Sequence, residues 1–339
     1  MRSGFFVAGF MQAKVYSPTP FNLRHLAAAL RRGELVAIPT ETVYGLAANA
    51  LDAKACRAIF RAKGRPARDP LIVHVRNLAQ AERLAEFNPL ARKLARRFWP
   101  GPLTLVLPKK PCVPSVVTSN GSTVALRSPA HPLARRLLQL ADLPLAAPSA
   151  NPFGYISPTL AAHVTAGLGR RIKHVLDGGP CKVGVESTVL DLSVPNKPRI
   201  LRPGAVTAAA LTEFLGVNVR AVRPGDDRKP LLGPGMMKRH YSPHTPLLLK
   251  NPGSRLPPDV AGVFLRKPAG KVGSNVHWLS NHGALREVSR NLYRVLRQAD
   301  EGKHRQIWVE IPPADAGGLG SALRDRLDRA AAKRGRRTA

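Results

Sequence analysis

The sequence has few cysteines and few aromatic residues. Its three cysteines, Cys56, Cys112 and Cys181, are far apart, and none belongs to a CxxC pair. This usage argues against a zinc site or a disulfide framework and favours a reducing compartment. Aromatic residues make up 5% of the chain, against 44% for all hydrophobic residues. The hydrophobic cores must therefore be built mainly from leucine, valine, isoleucine and alanine.

Long apolar runs are also missing. No stretch approaches the ~20 apolar residues that a membrane-spanning helix needs, so we expect no association with a membrane. The N-terminal residues are weakly apolar, but Gly4 and Gly9 interrupt them, and a signal peptide is not expected there. Met11 offers an alternative start to Met1. Together with the cysteine usage, these features predict a cytoplasmic protein.

Acidic residues are scarce, with 21 Asp and Glu against 53 Lys and Arg, which gives a formal net charge of +32. Residues 1–216 hold 29 basic and 11 acidic residues, and the rest of the chain holds 24 and 10. The excess is therefore a property of both halves. Such a field attracts polyanions and anionic substrates. Contact with RNA is one expectation, and a generally basic proteome or an anionic ligand explains the charge equally well.

The 339 residues are enough for two domains. Short apolar runs alternate with amphipathic stretches up to residue 216, which predicts a mixed α/β domain with an irregular sheet. The following segment is rich in proline, glycine and charge, as in a linker, but its Met, His and Tyr residues indicate that it docks. The predicted division is an N-terminal extension at 1–21, an α/β domain at 22–216, a linker at 217–246, a smaller α/β domain at 247–332 and a basic tail at 333–339.

Hydrophobic spacing and end signals predict the individual elements. Asn22 is the expected cap of the first helix, and Ser157 followed by Pro158 is typical of a helix start. Helices are predicted at 22–33, 52–62, 78–87, 90–98, 132–141, 207–215, 285–298 and 317–332. Strands are predicted at 35–38, 71–75, 103–107, 123–127, 143–147, 189–192, 247–249, 260–265 and 307–311.

Several segments combine the end of a strand with a polar loop. They lie at 40–46, 63–70, 123–127, 148–151, 186–188 and 201–204. Converging loops of this kind form small-molecule sites. Lys63 and Arg65 alternate along an extended segment, so both can point at one anion. His74 is a single histidine on a strand, where a structural role is more common than a catalytic one.

Two further motifs point only weakly to a site. The glycines at 317–320 (GGLG) precede a helix, but they match neither the dinucleotide-binding nor the P-loop pattern, so a phosphate site is not favoured. His240 and His244 are four residues apart, but Pro243 forbids a regular helix between them. A metal pair is therefore not expected there.

The loop motifs occur in a fixed order along the chain. They lie at 39–46 (PTETVYGL), 63–66 (KGRP), 70–74 (PLIVH), 99–104 (WPGPLT), 123–127 (TVALR), 147–151 (APSAN), 184–188 (GVEST) and 201–204 (LRPG). Together they resemble the YrdC-like family of L-threonylcarbamoyl-AMP synthases, in its longer form with a linker and a C-terminal domain. Residues 235–243 and 318–327 extend the resemblance through the rest of the chain.

The resemblance implies a fold and a reaction. The expected fold is a mixed twisted sheet with helices around a concave basic site, followed by a smaller, Rossmann-like α/β domain. The expected reaction joins L-threonine, bicarbonate and ATP into threonylcarbamoyl-AMP and releases pyrophosphate. The product would serve the modification of adenosine 37 in tRNA, so tRNA and the threonylcarbamoyl-transfer machinery are the expected partners. Mg²⁺ is expected with ATP, held mainly by phosphates because the chain offers no carboxylate cluster.

The resemblance also implies roles for single residues. Lys63 and Arg65 are the expected catalytic cations. The expected threonine site consists of Thr40, His74, Arg127, Ala147 and Ser187. The expected ATP site consists of Lys63, Arg65, Thr123, Ser149, Asn151, Ser157, Arg202, His240 and Tyr241. A guanidinium such as that of Arg127 suits a carboxylate as a two-pronged donor, and the linker residues would close over the nucleotide.

Two acidic positions qualify this assignment. The chemistry gives Glu41 no obvious proton to accept, so we expect it to orient its loop. The family usually has asparagine where this chain has Asp69, and the extra carboxylate would weaken ATP binding or pair with Arg68. Two alternatives remain open at the level of sequence: a basic clamp for double-stranded RNA, and a sugar- or carbamoyl-phosphate enzyme, for which no acid/base carboxylate pair is evident.

Overall fold

The computed structural model describes residues 12–194, 197–222, 233, 236–237, 240–313 and 317–332. The helices are α1 (Pro20–Arg31), α2 (Ala53–Lys63), α3 (Leu78–Glu82), α4 (Pro89–Phe98), α5 (Pro132–Ala141), α6 (Ala161–Leu168), α7 (Ala208–Leu215), α8 (Leu285–Glu301) and α9 (Gly317–Ala331). The strands are β1 (Lys14–Tyr16), β2 (Val36–Ile38), β3 (Gly45–Asn49), β4 (Ile72–His74), β5 (Leu103–Pro108), β6 (Thr123–Arg127), β7 (Leu145–Ala146), β8 (His174–Leu176), β9 (Thr188–Asp191), β10 (Arg199–Arg202), β11 (Arg220–Ala221), β12 (Leu247–Lys250), β13 (Val260–Arg266), β14 (Val276–Ser280) and β15 (Gln306–Glu310). The predicted basic tail at 333–339 and residues 1–11 lie outside the described residues.

Strands β1 to β11 form one mixed sheet in the order β1-β8-β2-β3-β7-β4-β6-β5-β9-β10-β11. The sheet contains both parallel pairs, such as β4 with β6, and antiparallel pairs, such as β2 with β3. Helices cover both faces, since Val36 joins Leu26 of α1 in one core cluster and its neighbour Ala37 joins Ile59 of α2 in another. The predicted irregular α/β sheet is thus confirmed.

The N-terminal part of this sheet begins earlier than the sequence indicates. Helix α1 starts at Pro20, and its cap is Thr19, whose hydroxyl accepts the N–H of Asn22 at 3.2 Å. Proline suits this first position because its missing N–H has no helical partner there. The prediction of Asn22 as cap was wrong. Strand β1 pairs with β8, so residues 14–16 of the predicted extension belong to the large sheet.

Two other helix predictions were wrong at an end. Ser157 does not cap a helix, because its hydroxyl is buried and donates to Glu186 at 2.6 Å, and α6 begins only at Ala161. The helix predicted at 78–87 ends at Glu82, and Ala85 instead forms a β-bridge with Lys109. In both places a tertiary contact overrides the local helix signal.

The C-terminal unit is a parallel sheet in the order β12-β15-β13-β14. Val263 of β13 and Val309 of β15 belong to one core cluster with Leu292 of α8 and Leu327 of α9. The two helices therefore pack against this sheet. This arrangement confirms the predicted smaller, Rossmann-like α/β domain. Within the described ranges, the helices are all too short or too polar to cross a membrane.

The parts of the linker that the structure describes are docked, as the composition of this segment predicts. Arg220 and Ala221 extend the large sheet by pairing with β10. Met236 and Met237 are buried in a cluster with Ile72 of β4. Farther along, Ser242 is buried, and its N–H donates to Gly154 at 2.8 Å. The described parts of the linker therefore lie against the first α/β domain.

Candidate active site

A cavity is lined by residues that lie at or just beyond the C-terminal ends of β2, β4, β6, β7 and β10. The predicted site residues that line it are Thr40, Arg65, His74, Arg127, Ala147, Ser149, Ser187, Arg202, His240 and Tyr241. The predicted residues that do not line it are Lys63, Thr123, Asn151 and Ser157. The structure thus brings most of the predicted loops to one place, including the linker.

Thr40 orders the loop between β2 and β3. Its hydroxyl accepts the N–H groups of Thr42 and Val43 at 3.2 Å each and donates to the carbonyl of Val43 at 2.6 Å. Because β2 and β3 are antiparallel, this loop is a reversal at the mouth of the cavity. Gly45 closes it, and a Cβ there would lie 3.3 Å from the Cβ of Ala147.

Arg127 is held in place from three sides. Its Nη2 lies 2.6 Å from Oε1 of Glu41, its Nη1 donates to Thr42 at 2.9 Å, and its Nε donates to the carbonyl of Gly101 at 3.2 Å. Burial would raise the pKa of the Glu41 carboxyl, but the charge of Arg127 lowers it below its usual value. Glu41 therefore faces Arg127 as a carboxylate.

His74 lies beside Arg127, because β4 and β6 pair in parallel with these two residues in register. Burial, together with the nearby positive charge of Arg127, lowers the pKa of His74 to about 3. The imidazole is therefore neutral at physiological pH. Its Nδ1 is buried and has no hydrogen-bond partner among the described residues.

Arg65 follows the end of α2, where Gly64 takes the left-handed conformation that glycine tolerates. Its Nη2 lies 2.9 Å from Oδ2 of Asp69, and the guanidinium also donates to the carbonyls of Asp69 and Pro70 at 3.0 and 2.7 Å. The Asp69 carboxylate thus pairs with Arg65 rather than with Arg68. It partly neutralises a cation that lines the cavity.

Lys63 lies behind the cavity wall. Its Nζ donates to the carbonyls of Ser149 and Asn151 at 2.6 and 2.5 Å. Burial and the neighbouring charge of Arg65 lower the pKa of this amine. Lys63 therefore fixes the backbone of the loop at 148–151, which carries the cavity-lining Ser149.

Ser187 and Arg202 also line the cavity and contact each other. The Ser187 hydroxyl shares a hydrogen bond with Thr104 at 2.8 Å. Arg202 donates to the Ser187 carbonyl from Nε at 3.2 Å and from Nη2 at 3.0 Å, and its Nη2 also donates to the Ser187 hydroxyl at 3.2 Å. Gly204 permits the close approach of these segments, because a Cβ there would lie 2.3 Å from the Thr188 nitrogen.

The remaining predicted ATP ligands have protein partners or lie farther along a strand. Asn151 donates to the carbonyls of Pro152 and Tyr155 at 2.9 and 2.8 Å. Ser157 donates to a carboxylate, as described above. Thr123 begins β6, whereas Arg127 at the end of the same strand reaches the cavity. For these residues an ATP contact stays a prediction.

His240 and Tyr241 of the linker close one side of the cavity. Tyr241 has a φ of +64°, a conformation that is uncommon outside glycine. Its ring stacks on Tyr293 of α8, with 5.8 Å between centroids, and meets the His240 ring edge-on at 4.2 Å. Burial lowers the pKa of His240 well below its usual value, so this imidazole is also neutral.

Sequence reasoning missed the role of Glu186, which lines the cavity. It also missed Arg326 of α9, whose Nε donates to Glu186 at 2.7 Å. The only signal for either residue was its position inside a family motif.

The glycine motif at 317–320 has a packing explanation, because a Cβ on Gly318 would lie 2.0 Å from Cγ2 of Thr207.

The carboxylates near the cavity are already committed to arginines. Glu41 faces Arg127, and Asp69 faces Arg65. Glu186 is likewise paired with an arginine. In the described part of the chain, no group of three or more His, Cys, Asp or Glu side chains could hold a metal ion. This donor set fits a magnesium ion that is carried in by phosphates rather than bound by a protein cage.

Comparisons with known proteins agree with this geometry. Residues 28–204 match the Sua5_yciO_yrdC family, described as telomere recombination, and residues 206–332 match the threonylcarbamoyl-AMP synthase C-terminal domain. The chain is 40% identical to threonylcarbamoyl-AMP synthase of Pyrococcus abyssi (strain GE5 / Orsay) over 93% of this chain and 95% of the relative. For the enzyme of Bacillus subtilis (strain 168) the identity is 41%, over 91% and 92%.

The fold comparison extends over both units. The crystal structure of P. abyssi Sua5 complexed with L-threonine superposes with a TM-score of 0.85 at 38% identity, covering 94% of this chain and 98% of that one. The similarity therefore includes the catalytic domain, the C-terminal domain and their arrangement. The chain belongs to the threonylcarbamoyl-AMP synthase family, in its Sua5-type form with a YrdC domain and a C-terminal domain.

Proposed function

We propose that the cavity joins L-threonine, bicarbonate and ATP into threonylcarbamoyl-AMP, with release of pyrophosphate, for the modification of adenosine 37 in tRNA. The observation that carries the proposal is that three arginines at two places line one cavity. Arg127 ends β6, and Arg65 and Arg202 lie close enough to interact electrostatically. One amino acid carboxylate and one polyphosphate need cations at two such places.

The threonine end is proposed to lie at Arg127, His74, Thr40, Ala147 and Ser187. The preorganised Arg127 offers its donors to the carboxylate. The neutral His74 has an Nδ1 without a protein partner, so it can accept a hydrogen bond from the hydroxyl or amine of threonine. The small side chain of Ala147 leaves room beside Gly45. These features suit a short, polar amino acid.

The nucleotide end is proposed to lie at Arg65, Arg202 and Ser149, with His240 and Tyr241 closing over it. The threonine amine combines with bicarbonate, with loss of water, to give a carbamate, and a carbamate oxygen then attacks the α-phosphate of ATP and displaces pyrophosphate. Negative charge develops throughout, so catalysis rests on oriented cations and N–H groups more than on a strong base. Lys63 contributes by holding the loop that carries Ser149.

The predicted magnesium ion enters this proposal with the nucleotide. When bound, it would neutralise charge on the phosphates of ATP. The protein groups that would face it are the arginines and the Ser149 loop, since the nearby carboxylates are paired. The expected cytoplasmic location stays a prediction.

The test is pyrophosphate release by the purified full-length chain. We expect release from ATP only when both L-threonine and bicarbonate are present, with L-serine as a matched substrate that lacks the methyl group. Release that does not depend on threonine would contradict the proposal. A threonylcarbamoyl-AMP peak in the product mixture would confirm the bond that forms.

Binding of tRNA or double-stranded RNA remains a second proposed property, supported by the net charge of +32. A thermal-shift assay separates it from the synthase site. Stabilisation by ATP with L-threonine supports the synthase. Stabilisation by RNA alone, without any effect of the small substrates, would favour the RNA clamp.

A further inference from the structure

Glu186 is a buried carboxylate that the proposed reaction does not use. It immediately precedes Ser187 in the cavity wall. Its carboxylate accepts hydrogen bonds from Ser157 at 2.6 Å, from the Tyr293 hydroxyl at 2.9 Å and from Nε of Arg326 at 2.7 Å. Tyr293 lies on α8 and Arg326 on α9, so two of these three partners come from the C-terminal unit.

Arg326 touches two residues that line the cavity, Glu186 and Tyr241, and the loop beside them. Besides pairing with Glu186, it donates from Nη2 to the carbonyl of Pro203 at 2.9 Å, next to Arg202. Its guanidinium also lies over the ring of Tyr241, 5.1 Å from the centroid. The side chain is only 1% exposed. A single side chain of α9 therefore contacts the Glu186 carboxylate, the loop at Pro203 and Tyr241 of the linker.

Two glycines allow close packing at the two helices that supply these groups, α8 and α9. A Cβ on Gly184 would lie 2.3 Å from the carbonyl oxygen of Ser289 on α8. Gly318 of α9 packs equally closely against Thr207. Because neither position has room for a side chain, Tyr293 and Arg326 approach Glu186 in a defined geometry.

The charges near Glu186 must balance because this carboxylate is buried. Burial alone would raise the pKa of the Glu186 carboxyl, but the charges of Arg326 and then Arg202, with hydrogen bonds from Ser157 and Arg326, lower it to about 2. Without Arg326, the charge of Arg202 would be the next cationic influence on this buried carboxylate. A buried charge that loses its partner is strongly destabilising, so Arg202 would be drawn towards it.

We propose that Arg326 is a positioning residue that neutralises Glu186 and thereby leaves the Arg202 guanidinium on Ser187, available to the phosphates of ATP. The C-terminal domain is then part of the nucleotide site through electrostatics, although Arg326 does not itself line the cavity. This inference rests on the proposed placement of ATP beside Arg202.

The experiment compares Arg326→Met with the double variant Glu186→Gln/Arg326→Met. For Arg326→Met we expect the KM for ATP to rise about tenfold or more, while the KM for L-threonine changes less than about threefold, because the unpaired Glu186 captures Arg202. In the double variant no carboxylate remains to capture it. The KM for ATP is therefore expected to return to within about threefold of the wild-type value.

Arg297→Met is the matched control. Arg297 is a second buried arginine at the contact of the two units, where its Nη2 donates to the carbonyl of Ile156 at 2.5 Å. We expect its loss to lower the melting temperature without changing the ratio of the two KM values. Equal rises of both KM values in Arg326→Met, without recovery in the double variant, would reduce Arg326 to a structural role and overturn the proposal.

Two further measurements keep the outcome decisive. Should Arg326→Met fail to fold, the double variant carries the test, and a tenfold higher KM for ATP in it contradicts the proposal. Should that also fail, Arg326→Lys keeps the charge and is expected to keep the KM for ATP within about threefold, while a tenfold rise contradicts the proposal. Calorimetric titration with ATP alone measures the affinity for ATP of each variant without turnover.

A wild-type chain that binds ATP but releases no pyrophosphate with threonine refutes the proposed function. The calorimetric comparison of the variants can still be made in that case.

Discussion

Arg127 and Glu41 form a buried ion pair, with 2.6 Å between Nη2 and Oε1. Arg127 ends β6, and Glu41 lies in the loop between β2 and β3, so the pair joins two separate segments of the sheet. Bonds to Thr42 and Gly101 hold the guanidinium from two further sides. A substrate carboxylate that binds there does not have to order a long side chain, which lowers the entropic cost of binding.

Replacing Arg127 by lysine keeps the charge but removes the forked donor. We expect Arg127→Lys to raise the KM for L-threonine about tenfold or more and to change the KM for ATP less than about threefold, because lysine cannot bind a carboxylate in two places. Pyrophosphate-release kinetics measure both values. Arg76→Lys is the control, since Arg76 pairs with Asp142 at the surface. Equal rises of both KM values would argue against a threonine site at Arg127.

Asp69 partly neutralises Arg65 across 2.9 Å. We expect Asp69→Asn to lower the KM for ATP about threefold or more, because Arg65 then keeps its full charge for the phosphates. Stability should fall by about 1–3 kcal/mol, since the buried pair loses its ionic part. Asp191→Asn is the matched control, because Asp191 is a buried carboxylate that pairs with Arg199 away from the cavity. An unchanged or higher KM for ATP in Asp69→Asn would show that Arg65 does not face the nucleotide.

Lys63 donates to two buried carbonyls, those of Ser149 and Asn151. Removing the amine leaves both without this donor, at a cost of about 1–3 kcal/mol each. We therefore expect Lys63→Met to lower kcat/KM about a hundredfold or more. Lys109→Met is the control, since Lys109 donates to the Val113 carbonyl at 2.9 Å outside the cavity. Near wild-type activity of Lys63→Met would show that the enzyme does not need Lys63 to hold the loop at 148–151.

Much of the catalytic sheet was predictable because local signals and tertiary structure agree there. Strand β6 and helix α5 have the bounds that hydrophobic spacing predicts, and α7 differs from its prediction by one residue at its start. Strand β3, with the sequence GLAAN, was not predicted, because glycine, alanine and asparagine have low strand propensity. It forms since β2 and β7 supply pairing partners on both sides.

The site was predictable only in part. Ordered motifs identified Thr40, His74 and Arg127, which do line the cavity. They could not show that the Arg65 guanidinium faces a carboxylate, nor that Arg326 reaches Glu186 from a distant helix. Such contacts depend on how the two units pack, and no spacing within one segment encodes them. The assignment of substrate roles to these residues stays a prediction.

Glu186 makes stability sensitive to acid. Its pKa of about 2 in the folded chain lies below its ordinary value near 4.5, so ionised Glu186 stabilises the fold above about pH 5. This contribution, on the order of 3 kcal/mol, is lost as the pH falls through the folded pKa. We expect Glu186→Gln to be less stable than wild type at pH 7 and to lose less stability between pH 5 and pH 3, measured by urea unfolding. Glu213→Gln, at an exposed position on α7, should follow the wild-type curve. A Glu186→Gln curve parallel to wild type would show that another group governs the acid limb.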